Sequence, residues 1–151
     1  MDATQLPLHY QSAHDLLKQL DAGTLTSEAL TTALLERIRE HNPTINAVVT
    51  LDEEKALANA RRADEERAAS LVRGPLHGLP LTLKDTWEVA GMTCTAGAPP
   101  LKDHKPNRHA DVVQRLEDAG AIILGKTNVP IYATDLQSYN KLFGVTNNPH
   151  N

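Results

Sequence analysis

Between Val112 and Leu124 a helical stripe, a glycine and an apolar run follow one another without a gap, and no other stretch restricts the fold as strongly. Val112, Val113, Leu116 and Ala119 recur at helical spacing, and Gly120 suits a C-terminal cap. Ala121-Ile122-Ile123-Leu124 then has no polar residue, as a strand covered on both faces requires. Helix, glycine, strand is the alternation of an α/β protein.

A second apolar run, Leu79-Pro80-Leu81-Thr82-Leu83, follows the Gly/Pro-marked break Arg73 to Pro80 and ends in Lys84-Asp85. Two readings fit Lys84. It is the solvated tip of a strand, or it is a lysine desolvated by its apolar neighbours, and burial disfavours an ammonium ion. Asp85 is likewise either a hydrogen-bonding brace or a residue that opens the following loop.

The N-terminal half reads as helices. Ser12 with Asp15 resembles a capping box, Leu16, Leu17 and Leu20 form a stripe, and Gly23 can end it. Thr26 or Ser27 caps a second helix with Leu30, Ala33, Leu34 and Ile38 on one face, and Asn42-Pro43 is expected to stop it. The β-branched run Ile45 to Leu51 is short for a strand. From Asp52 to Ser70, Leu57, Ala60 and Ala63 share a stripe, and Arg61/Glu65 and Arg62/Glu66 are spaced for ion pairs. The segment Ala90 to His109 has no hydrophobic period, and its length suggests a functional or lid-like loop.

Composition narrows the function. A chain of 151 residues with 40% hydrophobic and 23% charged residues suits one ordinary globular domain, and it contains no apolar run of membrane-crossing length. The N-terminal residues carry no secretory pattern, and the single cysteine, Cys94, fits a packed residue in a reducing compartment, so a cytoplasmic protein is expected. A net charge of -4 and five aromatic residues (one Trp, three Tyr, one Phe) argue against nucleic acid as a partner. The seven histidines form no helical zinc pattern, so neither metal nor other cofactor is expected.

Gly120-Ala121-Ile122-Ile123-Leu124-Gly125-Lys126-Thr127 matches the phosphate-binding loop motif letter for letter. The context is inverted: a helix precedes it, the variable positions are strand-like, and Asn128-Val129-Pro130 follows where a helix should begin. A nucleoside triphosphatase is therefore rejected.

Taken together, GPLHGLPLTLKDTWEVAGMTCTAGAPPL, AGAIILGKTNVPIYATD and NKLFGVTNNPHN resemble the N-terminal part of the amidase signature family of serine hydrolases. The resemblance implies an α/β fold with a mixed β-sheet covered by α-helices, and amide hydrolysis through a Ser-Ser-Lys triad with the relay serine in a cis peptide. By position, the lysine of that triad is Lys84. A serine hydroxyl needs a base to take its proton, and a lysine serves if it is neutral, which Leu79, Leu81 and Leu83 could promote by burying it. The resemblance further assigns loop-shaping roles to Gly91, Thr93, Thr95 and Gly97, framework roles to Asn128 and Pro130, and places Ala133 and Thr134 against the substrate. His150, where relatives commonly have tryptophan, and Ile131, where an acid is frequent, depart from the pattern.

The nucleophile is not among these residues. The only serines are Ser12, Ser27, Ser70 and Ser138, none in a glycine-flanked turn, and Ser138 with Lys141 reads as structural. The expectation is a single incomplete amidase domain over 1-151, with a mainly helical region over 1-72 and the start of the α/β core over 73-151. The expected partners are a small-molecule amide and either a second copy of the chain, as a homo-oligomer, or a separate chain that supplies the C-terminal half; membranes are not expected partners. The rival expectation is a non-catalytic remnant serving as an interaction module.

Overall fold

The computed structural model describes residues 6–150. Among them, four α-helices and five strands follow in the order α1 (Ala13–Asp21), α2 (Ser27–Ile45), β1 (Val48–Leu51), α3 (Glu53–Ala68), β2 (Pro80–Lys84), α4 (Asp111–Asp118), β3 (Ile122–Thr127), β4 (Tyr139–Asn140) and β5 (Gly144–Val145). The main sheet has the strand order β1-β3-β2, and β4 and β5 form a separate antiparallel pair. β1 is antiparallel to β3. Hydrogen bonds from Gly78 to Gly120, from Ile122 to Leu79 and from Asp85 to Thr127 climb β2 and β3 in the same direction, so these two strands are parallel. The sheet is mixed, and the fold is α/β.

The described residues divide into two compact units. One contains the chain up to Glu36, Glu53–Leu81 and Leu116–Leu124; the other contains Arg37–Asp52, Thr82–Arg115 and the chain from Gly125 onward.

In the first unit, Leu16, Leu20, Leu30 and Leu79 make a leucine core against which Leu8, Leu17, Leu25, Leu34 and Leu76 pack. The Ser12 hydroxyl accepts the Asp15 amide at 3.1 Å and caps α1, and Gly23 follows the helix in the left-handed region at φ +67°. At α2, Thr26 Oγ1 accepts the amide of Ala29. The Asp64 carboxylate, reaching from α3, accepts the amides of Ser27 at 2.7 Å and Glu28 at 2.9 Å. A negative charge shared between two free N–H groups at a helix N-terminus is doubly favourable. The buried stripe of α3 is Ala56, Ala60 and Ala63, with Leu57 only half-buried. Arg62 approaches Glu66 at 3.8 Å as its spacing suggests, whereas Arg61 turns to Glu28 at 2.7 Å.

His77 is 1% exposed, and its Nε2 lies 2.9 Å from the Ala63 carbonyl. Its Nδ1 accepts the Arg73 amide at 3.3 Å. Nε2 thus faces an acceptor and Nδ1 a donor, with the Glu66 carboxylate 3.9 Å from Nδ1. Gly120, at φ +92°, closes α4; a Cβ there would come within 2.6 Å of the His77 Cα. The expected C-cap therefore has a second reason to be glycine.

In the second unit, α2 runs through Pro43 to Ile45, two residues beyond its expected stop. Proline forfeits one amide donor in the last turn, and the Asn42 side chain stabilises the exit. Its Oδ1 accepts the amides of Ala47 at 2.9 Å and Val48 at 2.8 Å, and its Nδ2 donates to the Val48 carbonyl at 2.8 Å. β3 likewise outruns the apolar run and continues to Thr127. Gly125 lies so close to β1 that a Cβ would sit 2.0 Å from the Thr50 carbonyl oxygen.

The first half of the segment Ala90 to His109 is packed into the fold. Met92, Cys94, Thr95, Gly97 and Ala98 are buried, and its backbone closes on itself through Gly91 to Pro106 and Cys94 to His104. The stretch from Met92 to Ala98 is thus packed, and its apolar residues lack a period because they turn inward one at a time, whereas Pro100, Lys102, Asp103, His104, Lys105, Asn107 and Arg108 are exposed.

Asp64→Ala is expected to lower unfolding stability by about 2 kcal/mol in urea titrations, because two helix N–H groups lose a charged acceptor. Asp64→Asn, which keeps one carbonyl acceptor, is expected to lose less.

Candidate active site

The site is built on the C-terminal end of β2. Lys84 is its last residue and is exposed, while Asp85, immediately after it, is wholly buried. Along β2, Leu83 is buried but Leu81 and Thr82 are only half-buried. The expectation that an apolar strand buries Lys84 is therefore corrected: at the strand end Lys84 is exposed, while its chain neighbours Leu83 and Asp85 are buried. Among the described residues the Lys84 amine has no hydrogen-bond or ion-pair partner.

The buried lysine is Lys126. Its Nζ lies 3.1 Å from Asp85 Oδ1, and the two side chains are 0% and 1% exposed. Asp85 Oδ2 accepts the Thr95 amide at 3.1 Å and the Thr95 hydroxyl. The Asp85 amide donates to the Thr127 carbonyl at 3.1 Å, and the Asp85 carbonyl accepts the Ala96 amide at 2.8 Å. Every polar atom of Asp85 is thus used, as a brace requires, and Asp85 also opens the turn that the Trp87 amide closes on the Lys84 carbonyl at 3.0 Å, so both readings of this residue hold. Burying two opposite charges is tolerable only with this degree of satisfaction.

Lys126 stands out in the sequence only as part of the rejected phosphate-loop match. The structure gives that match a different content, since Gly125, Lys126 and Thr127 lie in β3 and the Lys126 ammonium is committed to Asp85. The available signal was a lysine continuing an all-apolar strand, where a desolvated ammonium demands a carboxylate.

The loop residues Thr95 and Gly97 belong to the same network: Thr95 Oγ1 accepts the Gly97 amide at 3.0 Å. Gly91 and Gly97 have φ of +78° and +65°, and Thr93 is half-buried. Cys94 is buried, with its Sγ 3.8 Å from the Asp85 carbonyl oxygen. Burial raises its thiol pKa above the ordinary value, with Lys126 acting in the opposite sense. A thiol held in that form is a poor nucleophile.

After β3 the chain passes through Asn128, whose Oδ1 accepts the Asn140 side-chain amide at 2.8 Å and whose Nδ2 donates to Gly144 at 3.2 Å and Thr146 at 3.0 Å. Asn140 Oδ1 in turn accepts the amides of Leu142 at 2.9 Å and Phe143 at 2.8 Å. Asn128 is a framework residue in a concrete sense, and Asn140, which sequence reasoning does not single out, shares the work. Pro130 is buried and leads into a single turn, Ile131–Ala133. Tyr132 and Ala133 both have positive φ, 50° and 56°, and the Tyr132 amide donates to the Ala96 carbonyl at 2.7 Å. Consecutive left-handed residues without glycine are costly and persist where surrounding contacts impose them. Ala133 is half-buried and Thr134 exposed, the Thr134 hydroxyl donating to the Ile131 carbonyl at 2.9 Å. Ile131 and His150 are exposed.

None of the serines is a partner of Lys84. Ser12 caps α1, Ser27 is buried, Ser70 follows α3 at φ +60°, and Ser138 is half-buried with its carbonyl accepting the Thr146 amide. Among the described residues no group of three His, Cys, Asp or Glu is gathered as a metal site, and no helix is long and apolar enough to cross a membrane.

Residues 29–151 match the family model described as Amidase. The chain belongs to the amidase signature family. It is 38% identical over 140 residues to a subunit of the glutamyl-tRNA(Gln) amidotransferase of Lachnospira eligens, covering 93% of this chain and 29% of that protein. It is 36% identical over 146 residues to an acylamidase of Rhodococcus erythropolis, covering 97% of this chain and 31% of the relative. Among solved structures, the native peptide amidase of Stenotrophomonas maltophilia superposes with a TM-score of 0.88 at 37% identity, over 96% of this chain and 31% of that one. The chain thus spans under a third of the length of these amidase relatives and matches the N-terminal portion of the family's fold.

Lys126→Met is expected to destabilise the protein by about 3–5 kcal/mol, because it strands the Asp85 carboxylate in the interior. Guanidinium unfolding measures this, and a milder loss in the Asp85→Leu/Lys126→Met double variant is the accompanying expectation. Cys94 is expected to react with iodoacetamide in the native protein at least about tenfold more slowly than in denaturant, as mass spectrometry of the alkylated chain would record.

Proposed function

We propose that this chain supplies the general base and part of the substrate pocket of an amidase acting on linear amides, with Lys84 as the base. The observation that carries the reading is the state of the two lysines near the end of β2. Lys126 is spent on an internal ion pair, whereas Lys84 is fixed at the strand end beside a fully braced Asp85 and has an uncommitted amine among the described residues. A group that is to take a proton from a serine must be positioned yet free to exchange hydrogen-bond partners.

In this mechanism a serine hydroxyl attacks the amide carbonyl after Lys84, through a second serine, removes its proton; the same proton then goes to the departing amine. A water molecule subsequently releases the acyl group by the reverse relay. The two serines are not among Ser12, Ser27, Ser70 and Ser138, whose surroundings are structural. They belong to the part of the family's domain that lies outside these residues, either later in the same polypeptide or in a separate chain. Ala133 and Thr134 would form part of the pocket wall, on the strained turn after Pro130. The relatives differ in activity, one belonging to a glutamyl-tRNA(Gln) amidotransferase, the others being an acylamidase and a peptide amidase, and the reading here goes no finer than a small-molecule amide. The buried lone cysteine agrees with a cytoplasmic setting.

A second reading, a non-catalytic module that binds a protein partner or a second copy of itself, draws on the exposure of Ile131, Tyr132, Leu136, Tyr139 and Val145. The coding sequence beyond Asn151 separates the module from an amidase carried on one polypeptide: a continuing frame with a Gly/Ser-rich run supports that amidase, and a stop codon supports the module or an amidase completed by a separate chain.

The pure 151-residue chain is expected to show no turnover of a panel of linear amides; turnover abolished by Lys84→Ala would refute that expectation of inactivity. In the presence of the remainder of the domain, Lys84→Ala is expected to lower kcat/KM by about 10²–10⁴-fold.

A further inference from the structure

We infer that Asp85 and Lys126 form a positioning pair that sets the candidate base and the candidate pocket turn from one buried anchor. The inference rests on the reading of Lys84 and of Ala133-Thr134 given above, and it names how the two are held together.

The connection is continuous. Lys126 Nζ holds Asp85 Oδ1 at 3.1 Å, and Asp85 is bonded covalently to Lys84. The Asp85 amide is pinned to the Thr127 carbonyl of β3, so the backbone that carries Lys84 is held on one side by the sheet and on the other by the ion pair. From Asp85 the network crosses to the packed loop in three places, the Thr95 amide, the Thr95 hydroxyl and the Ala96 amide. Ala96 is itself left-handed, at φ 48°, and its carbonyl accepts the amide of Tyr132, the first of the two left-handed residues of the pocket turn. Ala96, Tyr132 and Ala133 are thus strained residues joined directly by a hydrogen bond or a peptide bond. Such conformations endure where the surroundings over-determine them, and Asp85 is the polar anchor of those surroundings.

The chemistry requires both members. An asparagine at 85 offers one acceptor and one donor, and two positively polarised donors face it, the Lys126 ammonium and the Thr95 N–H. Whichever way the amide points, one donor loses its acceptor. Without Lys126 the carboxylate keeps Thr95 but is left buried without its counter-charge. Neither residue touches the reacting atoms in this arrangement, and both act through Lys84 and the Tyr132–Ala133 turn.

Amide hydrogen exchange followed by NMR on the 151-residue chain tests the pair without any catalytic assay. In Asp85→Asn and in Lys126→Met, the amides of Ala96 and Tyr132 are expected to exchange at least about tenfold faster relative to those of Gly78 and Ile122, which are bonded to Gly120 and Leu79. Thr95→Val, which removes the hydroxyl and leaves the ion pair, is expected to produce a smaller rise at the same amides, and it serves if the charge variants fail to fold. Unchanged exchange at Tyr132 overturns the inference. So does an equal rise at all four amides, which would mark the pair as a support of global stability alone. If exchange responds as expected while Lys84→Ala leaves the completed amidase active, the positioning pair stands and the reading of Lys84 as base falls.

Discussion

Asp85 brings a full charge into the interior of the second unit, and much of the local structure is arranged to make that tolerable. A carboxylate removed from water without partners would cost more than most side chains contribute, so its oxygens must be occupied. Lys126 and Thr95 occupy them, and the backbone groups of the same residue engage β3 and the loop. Two segments far apart in sequence, the end of β2 and the end of β3, are locked by this one residue. The stretch from Met92 to Ala98 is drawn in with them, which is why residues without a hydrophobic period are nevertheless packed there.

The same constraint explains the relation of the two lysines. Asp85, the first residue of the turn after β2, is buried, while Lys84 before it is exposed. A structural ion pair thereby leaves a neighbouring amine unused, at a backbone position that is unusually well determined. Orientation is what the general base proposed above would need from its scaffold, and a strand end next to a buried ion pair is a fixed backbone position.

Some elements are legible from the chain alone because their causes are local. The Ser12 cap, the leucine stripe of α1, the C-terminal glycine of α4 and the apolar start of β3 follow from capping chemistry and periodicity. The extension of α2 through Pro43 is not legible, because it depends on Asn42 finding Ala47 and Val48 once the chain has turned into β1. The end of β3 lies beyond Leu124 for a similar reason: Gly125 is in the strand because β1 passes too close for a side chain, and a close approach leaves no mark on hydropathy. Arg61 abandons its helical neighbour Glu65 for Glu28 on α2, a choice between an exposed local pair and an exposed distant one that spacing cannot settle.

The sequence by itself determined the α/β alternation, the absence of a phosphate-binding loop and, through several ordered motifs, the amidase signature family, since each is written in residue types at short spacing. Tertiary structure alone decided which lysine is buried and which is exposed, that Asp85 is a brace as well as the residue that opens the next turn, and that Thr95, Ala96 and Tyr132 join it in one network. Those outcomes depend on the face to which a side chain points and on partners about forty residues away, and a buried charge takes its identity from what surrounds it.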